Sequence, residues 1–170
     1  MQEGIEVEVS KNIEKHRIGL ARKISRNNGL WEDIREYSLN KGIKLHRNKF
    51  AELPREISYS GRNVAYYFST LENHLYSNGH RNLVSGIIEQ IYSERNRLAE
   101  QYIGLAKSFI KNKREGEDFT DNLLYEANCG LIIAAHSYDY KLGYLFYTYA
   151  KKIIESRINH YVKKHKKIIL

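Results

Sequence analysis

Proline is nearly missing from this chain of 170 residues: Pro54 is the only one, so long stretches run without the residue that most reliably breaks a helix. Together with eleven glycines this scarcity favours an all-α fold, a helical bundle with few tight turns. Cysteine is equally scarce. Cys129 stands alone and cannot form an internal disulfide. No apolar run approaches the roughly 20 residues that cross a bilayer, which argues against a membrane protein. The start, Met1-Gln-Glu-Gly4, has neither the basic residues nor the apolar core of a signal peptide, so a soluble, cytoplasmic protein is expected. No glycine-rich phosphate loop is present. The histidines at 16, 46, 74, 80, 136, 160 and 165 show no metal-ligand spacing, and Cys129 has no partner motif, so neither an enzyme nor a metal or other cofactor is expected.

What is present is apolar residue enough for a core, 42%, and a formal charge of +8. The charge is unevenly placed. From Tyr138 onward Lys141, Lys151, Lys152, Arg157, Lys163, Lys164, Lys166 and Lys167 face only Asp139 and Glu155. Clustered cations attract polyanions, although a solvated lysine-rich tail would have the same composition. Spacing has to separate the two.

Apolar residues recur at three and four, which predicts successive helices rather than strands. Helices are expected over about Glu6–Arg26, ended by Asn27-Asn28-Gly29, and over Leu30–Asn40, ended near Gly42. Pro54 interrupts the next stretch, and a helix over about Ser60–Tyr76 follows, closed by Ser77-Asn78-Gly79. That break divides the chain into 1–79 and 80–170. Beyond it Val84, Ile87, Ile88, Ile91, Leu98, Tyr102, Leu105, Ala106 and Phe109 form one apolar stripe, expected as a single long helix. A polar loop, Lys111–Asp118, a helix over about Thr120–Ala135, a link at Tyr138–Gly143 and a final helix complete the reading.

On the final helix Tyr149, Lys152, Ser156, Asn159 and Lys163 share one stripe, while Phe146, Ala150, Ile153, Ile154, Ile158, Tyr161 and Val162 share the other side. An apolar back and a polar, cationic front suit a helix that rests on a scaffold and offers hydrogen-bonding groups to nucleic acid. Before it, Tyr138 to Ala150 interleaves six aromatics with lysine, as single-stranded nucleic acid requires: rings stack on unpaired bases and ammonium groups meet phosphates. Phe146 lies on the apolar side and is read as core.

In this segment Tyr138, Asp139, Gly143, Phe146, Thr148, Tyr149 and Ala150 are in register with a pattern of the bacterial sigma-70 family, in its conserved region two. Tyr125-Glu-Ala-Asn-Cys-Gly-Leu131 is similar to that family's Gln-Glu-Gly-Asn-Ile-Gly-Leu, and Leu105-Ala-Lys-Ser-Phe109 to its Ile-Ala-Lys-Lys-Tyr. The chain therefore resembles a truncated or divergent sigma factor over about residues 80–165. The resemblance implies a transcription initiation factor. Asn122, Tyr125, Glu126 and Asn128 would bind the clamp helices of the largest subunit of core RNA polymerase, and Asp118 and Asp121 complete one polar face with three of them. Tyr149 would stack on the adenine flipped from the minus-ten promoter element. Lys141, Tyr144 and Thr148 would contact the unpaired non-template strand, and Ser156 and Asn159 would read the upstream base pair; Lys152 and Lys163 are DNA-binding candidates from the stripe alone.

The departures matter as well. Lys152 and Ile153 stand where primary sigma factors carry a tryptophan pair that wedges the duplex open, so melting should be weaker or depend on help. Asn122 replaces an aspartate and Tyr125 a glutamine on the polymerase-contacting helix. The upstream-element reader of full family members has no counterpart after the matching region; a second protein or the first 80 residues could supply it, or the factor could work without it, and an anti-sigma-type regulator is a further candidate partner. A regulator or DNA-binding adaptor that keeps the fold without melting promoters is the alternative reading. The first 79 residues have no assigned role. Around Phe50–Ile57 and Ser60–Val64 they loosely resemble a helix-turn-helix, and Trp31, Tyr37, Tyr66, Tyr67 and Phe68 are read as core or partner contacts.

Overall fold

The computed structural model describes residues 4–59, 62–110 and 117–166. It is all-α, with eight helices among the described residues and one two-residue β-ladder. The chain divides into two compact units, Met1–Glu94 and Arg95–Leu170. The division falls inside the long helix rather than at Gly79, because Val84 and Ile88 from the start of that helix are buried in the first unit's core.

In the first unit α1 (Ile5–Arg26) carries Glu6 and Glu8 in its first turn and Lys23 and Arg26 in its last, the order that complements the helix dipole. Val9, Ile13, Leu20 and Ile24 form its buried side. Asn27 ends α1 and also begins α2 (Asn28–Asn40): its Oδ1 accepts the Leu30 N–H at 3.0 Å. Thus the helix expected from Leu30 starts two residues earlier. After α3 (Arg47–Phe50), a 3-10 turn at Leu53–Arg55 absorbs Pro54. Strands β1 (Ser58–Tyr59) and β2 (Arg62–Asn63) pair antiparallel, and Asn63 caps α4 (Val64–Ser77) by accepting the Tyr66 N–H at 2.8 Å. The helix expected from Ser60 therefore begins at Val64; Ser60 itself lies outside the described residues.

Trp31, Phe50 and Phe68 meet ring to ring in the core, with Leu20, Ile34, Leu71 and Leu75 around them. Tyr67 is buried too, Tyr37 is half-buried and Tyr66 is exposed. A salt bridge lies among these side chains: Arg17 Nε donates to Glu72 Oε1 at 2.8 Å, and Arg17 Nη2 donates to the Ala65 carbonyl at 3.0 Å. Of α4 only Tyr66, Asn73 and Ser77 are exposed, so most of its surface serves the core and little of it is offered to a DNA groove. His74 and His80, scattered in sequence, both reach Asp33 Oδ2, at 2.9 and 3.3 Å. Among the described residues no group of three or more His, Cys, Asp or Glu side chains is placed to hold a metal ion, and no helix is long and apolar enough to cross a membrane.

The long stripe from Val84 to Phe109 is two helices, α5 (Arg81–Gln101) and α6 (Ile103–Ser108), separated at Tyr102. There the Tyr102 N–H bonds the Ala99 carbonyl, the tighter spacing of a 3-10 turn, and the ring packs edge-on to Phe146 at 4.8 Å. α7 (Glu117–Ser137) and α8 (Phe146–Lys166) follow. Most of the polar loop expected before α7 lies outside the described residues.

Candidate nucleic-acid and partner interface

The second unit is organised by α7 and α8, which run antiparallel: Ser137 meets Tyr149, Gly130 faces Ile154, and Glu126 meets Arg157. Phe146, Ala150, Ile154 and Ile158 are buried on α8 against Leu123, Ala127, Leu131 and Ala134 of α7. Gly130 permits this approach. A Cβ there would lie 3.0 Å from Ile154 Cα, a backbone atom that cannot swing aside. Gly130→Val should accordingly cost about 1 to 3 kcal/mol by overpacking, seen as a lower unfolding midpoint of the second unit.

The turn before α8 is fixed locally. Asp139 Oδ1 accepts the Lys141 N–H at 3.0 Å, and Gly143 closes the 3-10 turn Tyr140–Leu142 at φ +76°, a left-handed conformation natural to glycine. The Tyr138 hydroxyl donates to the Tyr144 carbonyl at 2.8 Å. These bonds set three rings side by side. Tyr144 stacks on Tyr149 with centroids 5.8 Å apart and planes 25° apart, and Tyr138 leans on Tyr149 at 6.0 Å. Tyr149 is half-buried, its hydroxyl bonded to Ser137 Oγ at 2.9 Å; Tyr144 is the more open ring, 39% exposed. Partial burial, with Tyr149 and Asp139 nearby, holds the Tyr144 hydroxyl above its ordinary pKa.

From this aromatic pair the polar stripe runs down α8. Thr148, Lys152, Ser156, Asn159 and Lys163 are all exposed, opposite the buried isoleucines. Lys141 is half-buried beside the Asp139 turn. Ser156 also lines a groove of about 560 Å³ with Glu126, Arg157, His160 and Lys164, where Lys164 adds an exposed cation beside the Glu126–Arg157 pair.

On α7 the polar face expected from sequence is exposed at Asp121, Asn122 and Tyr125 and tied into the fold at Glu126. Asp121, Tyr125, Asn128 and Ile132 share one stripe by their spacing; Asp121 is exposed, Tyr125 is 66% exposed and Ile132 46%. Asn128 is half-buried there, its Oδ1 without a hydrogen-bond partner among the described residues, beside a shallow apolar pocket that includes Ile103 and Ile132. Exposed Asn122, three residues before Tyr125, and half-buried Glu126 lie beside that stripe. Glu126 does not project freely: its Oε2 accepts Arg157 Nε at 2.9 Å and Nη2 at 2.6 Å, which ties α7 to α8. The side chain of Asp118 lies outside the described residues. Sequence reasoning named neither Arg157 as a tie nor Ile132 and Ile103 as exposed apolar groups.

Set against protein-family models, curated proteins and solved structures, the chain matches none of them.

Proposed function

We propose that this protein is a sigma-like transcription initiation factor, which binds core RNA polymerase through α7 and minus-ten promoter DNA through α8. The observation that carries the reading is the surface of α8: an exposed stripe of short polar groups and lysines that begins at a stacked tyrosine pair, opposite buried Phe146, Ala150, Ile154 and Ile158. Rings take up unpaired bases, lysines neutralise phosphates, and Ser156 and Asn159 have side chains short enough to reach base edges. The Asp121–Tyr125–Asn128–Ile132 stripe supports the second contact. An exposed aromatic flanked by an exposed isoleucine and an unsatisfied amide oxygen has the character of a protein-binding hot spot.

Purified protein added to bacterial core RNA polymerase and a fluorescent minus-ten bubble tests both contacts. Transcription from a defined start site supports the reading; polymerase binding without initiation favours a regulator or adaptor instead. Tyr125→Ala should weaken co-purification with the polymerase at least about fivefold, the loss of one anchor, with helical content unchanged. It is a cleaner probe than Glu126→Lys, which would also set a lysine against Arg157. Wild-type co-purification by Tyr125→Ala would remove α7 as the docking face.

A further inference from the structure

The first unit has no part in the contacts proposed above, and its charge is unevenly placed. No Asp or Glu occurs in residues 15–31 or 37–51, although the chain carries 20 acidic residues. The fold brings these two acid-free segments together. Arg47, at the start of α3, donates from Nε to the Ser25 carbonyl and from Nη2 to Asn28 Oδ1, both at 2.7 Å, and its guanidinium lies over the Trp31 ring. α3 is thereby seated at the corner where α1 ends and α2 begins. Around that corner Arg22, Lys23 and Arg26 of α1, and Lys44 and Lys49 on either side of Arg47 in sequence, are all exposed, and none of the five is paired with a carboxylate among the described residues.

Scattered surface lysines are ordinary, and Lys23 and Arg26 also complement the dipole of α1. The dipole does not account for Arg22, Lys44 or Lys49. Like charges gathered without counter-ions repel one another, and a polyanion relieves that repulsion. The chemistry of the corner selects the kind of polyanion. Its rings are withdrawn: Trp31 and Phe50 are 5% and 1% exposed, so they offer no platform on which the unpaired bases of a single strand could stack. Cations without rings suit the phosphates of a duplex, which carries one charge per about 1.7 Å of its axis. We propose that the corner formed by the end of α1 and by α3 binds the sugar-phosphate backbone of duplex DNA without regard to sequence, as a nucleic-acid surface distinct from that of α8. The choice of DNA among duplexes rests on the initiation-factor reading; the choice of a duplex rests on the corner itself.

The test is fluorescence anisotropy of the full chain with a labelled G·C-rich DNA duplex that contains no promoter element, without polymerase, between about 50 and 200 mM salt. If each of the five cations meets one phosphate, the logarithm of the binding constant should fall against the logarithm of salt with a slope of about −4.5. Arg22→Gln with Arg26→Gln should make the slope shallower by about 2, and Lys44→Gln with Lys49→Gln by the same amount, with Trp31 fluorescence unchanged as the mark of an intact first unit. The same charge removed at exposed Arg81 and Lys107, on α5 and α6, should leave the slope as it is. If the wild type does not bind the duplex at the lower salt, if either corner pair keeps the wild-type slope, or if the Arg81 and Lys107 pair lowers it as much, the corner is not the site. Preference for an RNA duplex, or capture by phosphatidylserine vesicles with no binding of the DNA, overturns the inference too. Failure of the initiation-factor reading shows separately: wild-type protein that binds this duplex through the corner but leaves a minus-ten bubble unbound in the presence of polymerase retains the corner and loses that reading.

Discussion

Glu72→Ala should destabilise the first unit by about 3 to 5 kcal/mol, the cost of leaving a buried charge without its counter-ion. Arg17 and Glu72 are 6% and 0% exposed at the side chain, so water cannot replace the lost carboxylate. The guanidinium would keep only the Ala65 carbonyl and the neighbouring Phe68 ring, 5.8 Å from Cζ. Trp31, the only tryptophan of the chain, lies in the same core and reports the transition by its fluorescence during urea unfolding. The double substitution Arg17→Met with Glu72→Leu should recover most of the loss, since paired apolar replacements remove both desolvation costs together. If Glu72→Ala unfolds at the wild-type urea concentration, the pair contributes nothing and the burial assigned to it is wrong.

Tyr149→Ala should weaken binding of a pre-opened minus-ten DNA by about 1 to 3 kcal/mol, the usual value of one base-aromatic stack. The geometry adds a condition. Tyr149 supports the more exposed Tyr144, so its removal also releases the ring that meets solvent first. Tyr144→Ala and the double variant complete a cycle, and the two losses should fall short of additive because the rings touch. Tyr149→Phe separates the roles: it gives up the hydrogen bond to Ser137 but retains the ring, so stability should fall by about 1 kcal/mol with DNA affinity unchanged. Filter binding at fixed salt measures all four proteins. Equal affinity of Tyr149→Ala and wild type would exclude the stacking role.

The helices and the back of α8 were legible because both follow from periodicity: burial of Phe146, Ala150, Ile154 and Ile158 needs only a 3.6-residue repeat and an apolar side. Helix starts were less legible. Asn27 and Asn63 each cap a helix through the side chain, a role that looks identical to loop-forming asparagine until the following N–H is placed. The break at Tyr102 was hidden because the apolar stripe continues across it, and periodicity does not record a local 3-10 turn. On α7 the polar face follows from the wheel, but the tie that holds Glu126, Arg157, is remote in sequence and could not be read from it.

The contact at Gly130 has a mechanical consequence. With almost no side chain between their backbones, and with the Glu126–Arg157 tie farther along, α7 and α8 have little room to slide or splay. A partner that grips α7 would then fix the aim of α8 as well, so ordering one surface would already meet the entropic cost of ordering the other. In variants that loosen this seam each surface would retain its own affinity, and what declines is the correlation between them: assembly would proceed while the start site blurs.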